Sequence, residues 1–75
     1  MAFYSLLHVG TQETTGGVVA RNRTEAVAVF GRQLGLDLAV EDNDGRVADF
    51  LLDEWWEQPH WVNHTIPVYS KLKGR

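Results

Sequence analysis

The chain contains no cysteine in its 75 residues, and shortness without any sulfur cross-link is its strongest constraint. It excludes a disulfide framework, a thiolate metal cluster and a thiol nucleophile, so one hydrophobic core must hold the fold. A chain of this size buries roughly 60–65% of the surface its unfolded form exposes. That suffices for residues 1–75 as one compact domain and leaves too little for a second domain or a deep, walled active site. The lack of cysteine suits a reducing compartment. Residues 1–9 are apolar but shorter than a bilayer span, with no basic leader and no cleavage site. A cytoplasmic protein without membrane contact is expected.

Charge is unevenly distributed. Residues 37–57 carry eight carboxylates (Asp37, Glu41, Asp42, Asp44, Asp49, Asp53, Glu54, Glu57) and one cation, Arg46, for a local balance of -7. The remainder holds Glu13 and Glu25 against Arg21, Arg23, Arg32, Lys71, Lys73 and Arg75, or +4, which gives the net charge of -3. An acidic middle with basic flanks suits a basic partner surface and repels nucleic acid. The plainer alternative is that these charges keep a small hydrophobic domain soluble.

Along the chain, residues 3–9 (FYSLLHV) form a short apolar run closed by Gly10, the pattern of a buried first strand carrying His8. Residues 11–17 (TQETTGG) read as a surface loop with Gly16-Gly17 as a turn, and residues 18–21 as a short second strand, paired with the first as a hairpin. Thr24 is the expected N-cap of a helix over residues 25–34, with Glu25 in its first turn and Gly35 in the left-handed C-terminal position. Ala26, Val27, Phe30 and Leu34 share one face, and Gly31 within the helix suggests close packing against a strand. Residues 36–41 alternate, with Leu36, Leu38 and Val40 on one side, as in a half-buried strand. A turn at Asp42-Asn43-Asp44-Gly45 follows.

Residues 46–57 (RVADFLLDEWWE) fit either period. A helix separates the charges better, because at about 100° per residue Arg46, Asp49, Asp53 and Glu57 form one stripe opposite Val47, Ala48, Leu51, Leu52 and Trp55. A second, acidic helix is therefore expected there. Pro59 ends it, and residues 61–70 (WVNHTIPVYS) are β-branched and aromatic enough for a last strand, interrupted at Pro67 or lying at an edge. Residues 71–75 form a basic tail.

Catalytic signatures are weak. Glu57, His60 and His64 give E-x2-H-x3-H, but Pro59 and Pro67 oppose the helix that would let these groups converge, so no metal or other cofactor is expected. Ser5 and Ser70 lack a nucleophile elbow, and the lone Gly16-Gly17 pair lacks phosphate-loop spacing. Six scattered cations in a net acidic chain make a poor footprint for nucleic acid. The chain reads as a non-enzyme.

One constellation combines acids and aromatics: Asp49, Phe50, Asp53, Glu54, Trp55, Trp56, Glu57 and Trp61. Aromatic anchors supply contact energy and carboxylates supply complementarity to Arg and Lys. Trp55 and Trp61 are expected to fill the core and Trp56 to be the exposed anchor. With Asp37, Glu41, Asp42 and Asp44 the stripe would present a broad negative surface whose carboxylates imitate a phosphate backbone.

In size, acidity, lack of cysteine and strand–loop–helix–strand order the chain resembles miniature phage proteins, and among them the anti-CRISPR proteins that block type I, Cascade-like complexes. The resemblance implies a stoichiometric inhibitor that occupies or imitates the path of target DNA on a basic groove. It carries over no functional residue.

These readings converge on a single α+β domain with an antiparallel sheet of three or four strands, one main helix and a second short acidic one. The expected function is non-enzymatic protein binding, anti-CRISPR-like. Asp37, Glu41, Asp42, Asp44, Asp49, Asp53, Glu54, Trp56 and Glu57 would meet the basic DNA-binding surface of a nucleoprotein complex. The competing expectation is a self-associating regulatory or phage accessory module, antitoxin-like, which would make the chain a homodimer rather than a monomer.

Overall fold

A computed structural model of the chain describes residues 1–40, 47–57 and 60–70. Its elements run β1 (Ala2–His8), β2 (Glu13–Ala20), α1 (Arg23–Leu34), β3 (Leu38–Ala39), β4 (Phe50–Trp56) and β5 (Val62–Ser70). All strand pairs are antiparallel, in the order β2-β1-β4-β5-β3. The fold is α+β as expected, with five strands rather than three or four. The acidic turn with Glu41, Asp42 and Asp44, the element end at Pro59 and the basic tail lie outside the described residues.

The first hairpin forms, but β2 begins well before residue 18. Gly16 and Gly17 lie inside that strand, not in a turn. The register passes from Tyr4↔Val18 to Leu6↔Thr15, so β2 holds one extra residue opposite Ser5, a bulge. Bare backbone at Gly17 lets the Phe3 ring lie against it, since a Cβ there would overlap the ring tip.

Asn22 rather than Thr24 caps α1, its side chain accepting from the Glu25 backbone N–H at 2.8 Å. The Glu25 carboxylate in turn accepts from the Arg21 backbone N–H at 2.9 Å. Gly35 takes the left-handed conformation expected of it, with φ of 70°. Gly31 is buried, and a Cβ there would lie 2.7 Å from the Leu36 carbonyl oxygen. The close packing expected at Gly31 is against the chain leaving the helix, whose Leu36 N–H bonds back to Gly31.

The expected second helix is not formed over residues 47–57. Residues 50–56 are instead the strand β4, flanked by β1 and β5. Pairing on both sides satisfies the backbone, and a two-residue period sends Phe50, Leu52 and Glu54 toward the helix layer and Leu51, Asp53 and Trp55 the other way. A helical charge stripe requires every carboxylate to face water, and Glu54, 3% exposed, does not. Pro67 lies where β5 has β4 on one side, with β3 pairing only at Tyr69 and Ser70. That position tolerates a residue with no N–H to donate.

The core occupies the layer between α1 and one sheet face. Tyr4, Leu6, Phe30, Leu52 and Val68 are fully buried there, with Ala26 and Val27 from the helix and Val18, Leu38, Val40, Trp56 and Ile66 packed around them.

Candidate binding surfaces

The described residues hold three candidate sites: a buried ion-pair cluster, a groove beside the helix, and the sheet face that α1 does not cover.

The cluster centres on Glu54. The helix start brings Arg23 over the sheet, where its Nε and Nη2 donate to the two Glu54 carboxylate oxygens at 3.1 and 3.0 Å, and the Tyr4 hydroxyl donates to Oε2 at 2.8 Å. Burial by itself would raise the Glu54 pKa, but hydrogen bonds from Arg23, Tyr4 and Trp56 more than reverse this and hold it below the usual carboxylate range. Burial, followed by the bond to Glu54, pushes the Tyr4 phenol up to about 12. The bond to Glu54 raises the Arg23 pKa further above its ordinary value. A shallow depression of about 410 Å³ lies over the cluster, lined by Arg21, Asn22, Thr24 and Trp56 as well as the pair itself. With its charges spent on each other, this cluster fastens helix to sheet.

The groove, about 720 Å³, runs between α1 and residues 35–40, over Val27, Ala28, Gly31, Leu36 and Leu38. Asp37 is among the residues that line it and is exposed.

The expected acidic surface is dispersed among the described residues. The half-buried Asp49 accepts the Ser70 N–H at 2.7 Å, tying β4 to β5. Asp53 points to the side away from α1 and accepts from the Thr65 hydroxyl at 3.1 Å. Glu54 is buried on the opposite side, and Glu57 is exposed beyond β4. Trp56, the expected exposed anchor, packs on the core, whereas Trp55 and Trp61, expected inside, are 37% and 59% exposed. Strand alternation exchanged the roles of Trp55 and Trp56. Glu41, Asp42 and Asp44 lie outside the described residues, and no group of His and acidic side chains is placed to hold a metal ion among those described.

Among the described residues, the sheet face away from α1 is a feature that the charge pattern does not reveal. Register and alternation place Val19, Phe3, Trp55 and Asn63 in one row across β2, β1, β4 and β5. Ser5, Asp53 and Thr65 form a second row, and Thr14, Leu7, Leu51 and Pro67 a third. Val19 is 62% and Phe3 44% exposed. A signal for this face was present in the sequence: β1 (AFYSLLH) and β4 (FLLDEWW) are apolar at both odd and even positions. Such runs mark strands covered on both faces, and α1 covers only one. No described helix is long and apolar enough to cross a membrane. Comparison with protein-family models, curated proteins and solved structures finds no match for the chain.

Proposed function

We propose that this chain is a non-enzymatic protein-binding domain whose contact surface is the sheet face opposite α1. The observation that carries the reading is the row Val19, Phe3 and Trp55, three exposed apolar side chains side by side on neighbouring strands. Large apolar side chains exposed together, with few charges around them, are the composition of an interface centre. Asp53 is the one ionisable side chain in the three rows, and Thr65 already bonds it. Stoichiometric inhibition of a CRISPR effector is an activity that such a domain could perform by docking. Its support is the small, acidic, cysteine-free character of the chain.

A photo-crosslinking residue placed at position 19, on the open face, and separately at position 33, an exposed α1 position outside the groove, tests the proposal. A discrete protein adduct from position 19 and none from position 33 is expected. Equal adducts from both positions, or none from position 19, would overturn it.

A further inference from the structure

The open face has a geometry that names its own partner. We infer that its occupant is a second copy of this chain, stacked face to face so that two sheets enclose a second apolar layer; this rests on the open face being the contact surface.

The face is self-complementary. A two-fold axis running along the strands, between β1 and β4, exchanges those strands across the interface. It leaves each row at its own height. Within one chain β1 and β4 pair as Phe3↔Trp55, Ser5↔Asp53 and Leu7↔Leu51. Across the axis, therefore, Phe3 of one copy faces Trp55 of the other, Ser5 faces Asp53, and Leu7 faces Leu51. On these two central strands aromatic meets aromatic, aliphatic meets aliphatic, and a serine hydroxyl stands opposite the carboxylate as a hydrogen-bond donor, while at the margin Val19 of one copy faces Asn63 of the other. A two-fold axis across the strands at the height of the middle row would instead set Asp53 against Asp53, so the charge favours the first arrangement over that one.

The area suits a weak dimer. Four strands about 4.8 Å apart and roughly seven residues long present about 450 Å² of flat face per copy, near 900 Å² for two copies before side-chain relief is counted. Stable interfaces bury about 1,200–2,000 Å² of accessible surface, and smaller ones belong to weak, transient association. Sheets pack about 10 Å apart with their strands within about 30° of each other, which side chains as large as Phe3 and Trp55 can bridge. Gly17 contributes by letting the Phe3 ring lie low against the sheet.

Sedimentation equilibrium or light scattering of the full chain over a concentration series tests this, with Phe3→Lys, Trp55→Lys and Val19→Lys each checked for folding by circular dichroism. Val19, on the edge strand and most exposed, is the variant whose fold is least at risk. The expected result is a mass rising from 8.5 kDa to twice that value, with folded Val19→Lys shifting the midpoint at least tenfold to higher concentration. A wild-type chain that stays at 8.5 kDa up to about 1 mM would overturn the dimer. A foreign-protein adduct at position 19 would then still sustain the binding reading. A dimer that persists unchanged in the folded lysine variants would overturn the face-to-face arrangement, with the binding reading still decided by the adduct at position 19.

Discussion

Arg23 and Glu54 lie 31 positions apart in the chain and meet through two hydrogen bonds, the carboxylate buried and the guanidinium half in water. This contact joins the first turn of α1 to the middle of β4, so it fixes where the helix crosses the sheet. Removing one partner of a buried pair costs more than the pair contributes net, because a charge stays behind in a poor solvent.

Arg23→Ala should therefore destabilise the domain by about 2 kcal/mol, less than for a fully enclosed pair because Arg23 is 46% exposed. Glu54→Ala should cost about 3 kcal/mol, since it also strands the Tyr4 hydroxyl. Urea denaturation at neutral pH checks both, and a wild-type midpoint for Arg23→Ala would show that the contact contributes nothing.

The same cluster gives stability a pH dependence at both extremes. Glu54 has a depressed pKa when folded, so its contribution is complete above the unfolded value of about 4.3 and is lost as pH falls through the folded one. Tyr4 has a raised pKa of about 12, so its contribution is complete below the unfolded value of about 10 and is lost between there and 12. Melting temperature measured across pH should fall at both ends. Glu54→Gln should flatten the acid limb and Tyr4→Phe the alkaline one.

Gly31→Ala tests packing against helix propensity. Alanine gains about 1 kcal/mol in a helix interior, yet its Cβ would stand 2.7 Å from a backbone carbonyl that no side-chain rotation can move. The expected net loss is about 1–2 kcal/mol, read as a lower denaturation midpoint. A rise in midpoint would mean that the chain at Leu36 yields.

Asn22→Ala should cost about 1 kcal/mol by removing the acceptor for the Glu25 N–H, while Asn22→Asp should be close to neutral. Hydrogen exchange at Glu25 and Ala26 should quicken in the alanine variant alone.

The sequence by itself determined the local features: the first strand, the helix with its left-handed Gly35, and a last strand tolerant of Pro67. Each rests on residues within one or two turns of each other, where periodicity and capping act directly. Residues 50–56 satisfied two periods at once, and only the partners β1 and β5, distant in sequence, decided for the strand by pairing its backbone on both sides. That choice alone buried Glu54, exposed Trp55 in place of Trp56 and dispersed the acidic stripe. Local patterning reports which side chains share a face. Whether that face meets water, a helix or nothing is set by long-range packing.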